Sequence, residues 1–168
     1  MKPFKEIKKW FENQENLFYL FLIILIVPNV VLCFTEPMPI VAKVCNVLLP
    51  FSIYYMVMSW SRNCGRTFWI LFPFLFFGAF QIVLLYLFGQ SIIAVDMFLN
   101  LVTTNSSEAL ELLDNLIPAI VIVVLLYIPA LAVATVSVIK KRELPELFIH
   151  RERKRARLAM IAGVLSLG

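Results

Sequence analysis

Residues 17–34 read LFYLFLIILIVPNVVLCF, with no charged side chain between Leu17 and Phe34. A helix needs about 20 mainly apolar residues to cross a bilayer, and this run has the length and the composition. Three more runs of the same kind follow. The second spans about Ala42–Trp60, after the turn Glu36-Pro37-Met38-Pro39. The third, Thr67–Phe88 (TFWILFPFLFFGAFQIVLLYLF), is the most apolar and aromatic, and the fourth covers about Leu116–Ile139. Beyond Arg157 the chain turns apolar again as LAMIAGVLSLG, residues 158–168. That is too short to cross, so it is expected to be a fifth span cut in its middle and the chain a fragment, with a short interfacial helix as the alternative. The expected fold is all-α: a polytopic transmembrane helical bundle with four full spans, a truncated fifth, and a helical segment between spans 3 and 4.

Composition agrees with that expectation. The chain of 168 residues is 61% hydrophobic and only 15% charged, with a mean hydropathy of +0.89. Soluble domains hold roughly 45–50% apolar residues, and this excess needs lipid to solvate it. The basic start MKPFKEIKKW is separated from the first run by Glu12 and Glu15, and no small-residue cleavage site follows. The first run therefore reads as a retained helix rather than a signal peptide. The net charge of +4 comes from basic residues that flank apolar runs, a topology signal; no nucleic-acid partner is expected. Cys33, Cys45 and Cys64 form no CxxC pair and His150 is the one histidine, so no metal centre is expected in this chain. Cys33 and Cys45 fall near the outer ends of their spans; two free thiols in apolar surroundings are the simpler reading, a disulfide the alternative.

Lysine and arginine favour the cytoplasmic side of a membrane. Lys2, Lys5, Lys8 and Lys9 precede span 1, and Arg62 and Arg66 lie between spans 2 and 3. A third group follows span 4: Lys140, Lys141, Arg142, Arg151, Arg153, Lys154, Arg155 and Arg157. Of the 15 lysines and arginines only Lys43 falls on the other side. The N-terminus is thus expected in the cytoplasm, with the basic stretch 151–157 against an anionic inner leaflet as an anchor. Prolines 28, 50, 73, 118 and 129 predict kinked, tightly packed helices. Gln81, deep in span 3, reads as an interhelical hydrogen bond, with a pore residue as the lesser alternative.

The outward segment 89–115 is long for a connection between spans and stays apolar through Ile92, Ile93, Val95, Met97, Phe98, Leu99, Leu101 and Val102. It holds no basic residue, while Asp96, Asn100, Thr104 and Glu108 recur every four residues. On a continuous helix that spacing makes one polar stripe, suited to a polar ligand or partner at the outer interface. A structural role accounts for part of it: Asn105 with Glu108 three residues on is a capping box that starts a helix. Asn105-Ser106-Ser107 also matches a short, common glycosylation sequon.

The stretch NLVTTNSSEALELL, Asn100–Leu113, resembles a segment in the membrane domain of the lipid A phosphoethanolamine transferases. That family has an Asn, a Thr four residues on and a Glu-Ala four residues later, in the periplasmic loop after the third helix. Asn100, Thr104, Glu108 and Ala109 match in type and spacing. The family also shares the five-helix layout with its N-terminus inside. The resemblance implies a bacterial inner-membrane enzyme that moves phosphoethanolamine from phosphatidylethanolamine to a phosphate or sugar of lipid A or a related glycolipid, leaving diacylglycerol. It implies that Asn100 and Glu108, helped by Thr104, hold the donor headgroup. The family's nucleophilic threonine and its zinc ligands lie in a periplasmic catalytic domain after the fifth helix, so Thr104 is not that threonine and zinc is not expected in this chain. Two other classes compete: a membrane scaffold or partner subunit that docks through segment 89–115, and a transporter, for which the spans offer little charge and no repeat.

Overall fold

A backbone amide in hydrocarbon has no water to bond, so a chain that enters a bilayer must satisfy its amides internally. The computed structural model describes the backbone of residues 2–88 and 106–167, and the side-chain surroundings of residues 5–80, 82–83 and 117–167. Every element among the described residues is helical: α1 (Lys2–Glu12), α2 (Gln14–Thr35), α3 (Ile40–Met58), α4 (Cys64–Ile70), α5 (Phe72–Phe88), α6 (Ser106–Ile139) and α7 (Glu146–Leu165). Among the described residues three stretches are long and apolar enough to cross a membrane: Gln14–Thr35, Ile40–Met58 and the Ile117–Ile139 part of α6. They place the chain among membrane-associated proteins.

Four full spans were expected, and the third is where the structure differs. The run Thr67–Phe88 is split into α4 and α5 at Leu71, leaving α5 with 17 residues. Pro73 lies two residues beyond the joint. Inside a helix it would lack a donor for Trp69 and crowd that carbonyl, whereas in the first turn of a new helix its missing N–H needs no partner. The chain still runs on at the joint, where the amide of Leu71 donates to Thr67 and that of Leu75 to Leu71, both at 3.1 Å. Pro28, Pro50, Pro118 and Pro129 sit inside unbroken helices.

The expected stub at 158–168 is the second half of α7, which begins at Glu146 and carries the basic stretch on its first half. It runs antiparallel to α3: Tyr55 meets Glu152, Ser52 meets Met160, and Cys45 meets Ser166. The N-terminus is a helix of its own. In α1, Ile7, Trp10 and Phe11 alternate with Lys5, Lys8 and Lys9, the pattern of a helix that lies in the membrane interface. Asn13 ends it and caps α2, its side chain accepting the amide of Glu15 at 3.0 Å.

The core gathers on α2. Leu17, Phe18, Phe21 and Leu25 are buried there, with Phe21 stacked on Phe68 (4.2 Å between ring centres) and Phe18 edge-on to Phe148 (5.5 Å). α3 and α5 flank α2, α7 covers α3, and α6 covers α4 and α5. Lipid gives apolar helices no hydrophobic reason to associate, so close approach at small residues matters. A Cβ on Gly65 would lie 2.5 Å from the Ala134 carbonyl oxygen, and one on Gly163 2.6 Å from the Ser52 hydroxyl. These two glycines let α4 meet α6 and α7 meet α3.

The up-and-down path brings the start of α2, the end of α3, the start of α4 and the end of α6 to one end of the bundle. Gln14, Cys64 and Ser137 meet there in a buried cluster. Around it Arg62 pairs with Glu143 at 3.2 Å and Arg142 with Glu12 at 3.5 Å, and the backbones of Arg62 and Leu144 join at 2.7 Å. The charge groups that are separate in sequence therefore share one end, and Lys43 lies at the other, its carbonyl near the Cys33 thiol.

Candidate functional site

Of the residues expected to form a site, Asn100 and Thr104 lie outside the described residues, as does the capping residue Asn105. Glu108 is on the first turn of α6, and its side chain lies outside the described set. α6 has 34 residues, and its membrane-length part is the last 23. The first three turns of α6 lie at the end opposite the basic cluster, and Glu108, Glu111 and Asp114 are all on them. A carboxylate in the first turn of a helix interacts favourably with its N-terminal dipole, so the position of Glu108 is a sound place for negative charge.

Within the bundle, two amide side chains are paired with one another. Asn29 donates to the Asn46 side chain at 3.2 Å, and Asn46 returns a bond to the Asn29 carbonyl at 2.8 Å. Below them a cavity of about 150 Å³ is lined by Pro28, Asn29, Pro50, Tyr54, Gly78 and Tyr127. The buried hydroxyl of Tyr127 has no hydrogen-bond partner among the described residues. The cavity has room for water, which would satisfy it. An amide pair and phenols can bind a polar group, but they offer neither a nucleophile nor a base at neutral pH.

The cysteines are free thiols. Cys33 contacts the Lys43 carbonyl and the Asn46 amide, while Cys45 faces Ser166. Burial pushes the Cys64 thiol up to about 11, so it stays protonated against the Gln14 amide oxygen and is a poor nucleophile. Among the described residues no three His, Cys, Asp or Glu side chains come together to hold a metal ion.

The least expected group is Glu152, a lone acid within the basic stretch and fully buried. Tyr55 donates to it at 2.5 Å, and Arg151 and Arg155 each donate at 3.0 Å. Burial pushes its carboxyl up, but the bonds from Tyr55 and Arg151 outweigh burial and hold it below the usual carboxylate range. Sequence reading treated 151–157 as an exposed anchor. The signal for more was the single acid among the five bases of residues 151–157. Asn29 and Asn46 were equally visible, as amides inside apolar runs. Gln81, expected to bridge helices, has its side chain outside the described set.

No family model, curated protein or solved structure matches the chain.

Proposed function

We propose that this chain is the membrane domain of a phosphoethanolamine transferase. It anchors the enzyme and holds the headgroup of phosphatidylethanolamine at Asn100, Thr104 and Glu108. The observation that carries the reading is the match of Asn100, Thr104 and Glu108-Ala109 in type and spacing to the family's segment after its third helix. The clustering of basic residues at the opposite end of the bundle supports it, because the positive end faces the cytoplasm and segment 89–115 then faces the periplasm. Counting α4 with α5 as one broken crossing, and α7 as a fifth, agrees with the family's layout.

The chemistry asked of these residues is positioning. The Glu108 carboxylate pairs with the donor's ammonium, a charge-assisted bond that a quaternary ammonium cannot make by N–H donation. The Asn100 amide donates to phosphate or ester oxygens, and the Thr104 hydroxyl adds a further donor. Holding the headgroup at the membrane surface turns an encounter with a periplasmic catalytic domain into a nearly intramolecular one. Phosphoethanolamine then passes to a phosphate or hydroxyl of lipid A or a related glycolipid, and diacylglycerol leaves.

The test is mass spectrometry of lipid A from bacteria expressing the gene's whole product. Wild type adds phosphoethanolamine. Glu108→Ala and Asn100→Ala, at equal membrane abundance, lower the modified fraction at least tenfold. Full modification by Glu108→Ala would refute the assignment, and no modification by wild type would favour a scaffold or partner subunit.

A further inference from the structure

Where α7 leaves the end of α3, a groove of about 320 Å³ opens between them, lined by Met56, Ser59, Trp60, Arg153 and Arg157. Its size falls in the range of small-molecule sites. We propose that this groove is a binding site for one anionic phospholipid of the cytoplasmic leaflet, separate from the donor-headgroup residues.

Charge is the first argument. Arg153 and Arg157 stand four residues apart on α7, on one helix face. Arg153 is held in place, its Nη2 donating to the carbonyls of Ser59 at 3.5 Å and Trp60 at 3.2 Å. Those carbonyls end α3 and would repel an anion, so the guanidinium neutralises them before any ligand arrives. Arg157 is exposed and has no acid paired with it among the described residues. Arg151 and Arg155, by contrast, are committed to Glu152. With the one acid of this stretch committed to Arg151 and Arg155, neither guanidinium of the groove has a carboxylate partner among the described residues.

Amphipathic order is the second argument. Continuing by fours from Arg153 and Arg157, the same face reaches Ile161 and Leu165, which are 57% and 74% exposed. Across the groove α3 offers Met56 and the exposed Ile53. Two guanidiniums therefore lead into an apolar track that runs toward the middle of the membrane. A phospholipid has that order: phosphate first, then acyl chain. Trp60, 79% exposed at the end of α3, is the residue type that settles at headgroup level. A free phosphate would use only the arginines, so the apolar track selects the lipid.

This site depends on membrane placement and not on the transferase reading. The experiment puts the purified chain in nanodiscs of phosphatidylcholine with one-tenth phosphatidylglycerol and counts the lipids that stay bound by native mass spectrometry. Wild type retains one phosphatidylglycerol in preference to phosphatidylcholine, and 10 mM inorganic phosphate does not displace it. Arg153→Gln with Arg157→Gln lowers retention about thirtyfold, the effect of two surface charges on an anionic lipid. Arg157→Gln alone, at a side chain with no packing role, lowers it about fivefold. Lys140→Gln with Lys141→Gln removes the same charge outside the groove and leaves retention unchanged. Equal loss in that control overturns the proposal, because the binding would then be diffuse. Equal retention of phosphatidylcholine, or displacement by phosphate, overturns it as well.

Discussion

Replacing Glu152 by alanine takes the charge from the contact that holds α7 on α3. The Tyr55 hydroxyl then faces a buried space with no acceptor, at a cost of about 1–3 kcal/mol. Losing the buried methylene adds about 0.8 kcal/mol. Arg151 and Arg155 are more than half exposed and return to water, so their pairs add little after screening. The loss comes to about 3 kcal/mol, which at about 2–4 °C per kcal/mol lowers the midpoint of thermal unfolding by roughly 6–12 °C. Glu152→Gln keeps an oxygen for Tyr55 and should lose about a third as much. The sign of the pH dependence follows from the depressed carboxyl. Its stabilisation is complete above the ordinary glutamate value of about 4.3 and is lost as pH falls through its lower folded value. Measured in nanodiscs, the gap between wild type and Glu152→Gln is therefore constant from pH 7 to 5 and closes only in stronger acid. An unfolding midpoint for Glu152→Ala equal to wild type would refute the buried-acid argument, as would a gap that widens on acidification.

Other consequences of the packing can be checked with single changes. Ser166→Cys puts a thiol beside Cys45, whose sulfur is now 3.2 and 3.4 Å from the two oxygens of Ser166; mild oxidation should give an intramolecular disulfide visible as a gel shift, and its absence would contradict the antiparallel pairing of α3 and α7. Gly65→Ala drives a methyl against the fixed Ala134 carbonyl and should cost about 1–3 kcal/mol in unfolding free energy. At Gly163 the obstacle is a side chain, the Ser52 hydroxyl. Gly163→Ala should therefore destabilise by about 1 kcal/mol, and adding Ser52→Ala should recover part of it, a coupling that a double-mutant cycle reads directly.

The apolar runs were legible because lipid asks for length and composition rather than a precise pattern, so α2, α3 and the end of α6 emerged within a few residues of their expected bounds. The break at Leu71 was not legible, because Pro73 is one of five prolines in the apolar runs and the other four sit inside unbroken helices. What was missed needed either amphipathic reading or tertiary register. Ile7, Trp10 and Phe11 among lysines mark α1, an apolar face that the charge of the segment does not reveal. Which face of α3 turns to α2 and which to α7 cannot be read from either helix, and that rotation decides that Asn46 meets Asn29 while Tyr55 meets Glu152. The buried acid is thus a product of packing. The stripe Asn100, Thr104 and Glu108 rests on sequence spacing, and of the three only Glu108 lies on a described element, the first turn of α6.

The most direct test of the central claim compares donor headgroups on the chain itself. In nanodiscs holding equal phosphatidylethanolamine and phosphatidylcholine, native mass spectrometry reads which lipid stays bound. The account predicts a preference of about tenfold for phosphatidylethanolamine, the size of one charge-assisted hydrogen bond, and its loss in Glu108→Gln with Arg157 intact. No preference in the wild-type chain, or a preference that survives Glu108→Gln, would contradict it.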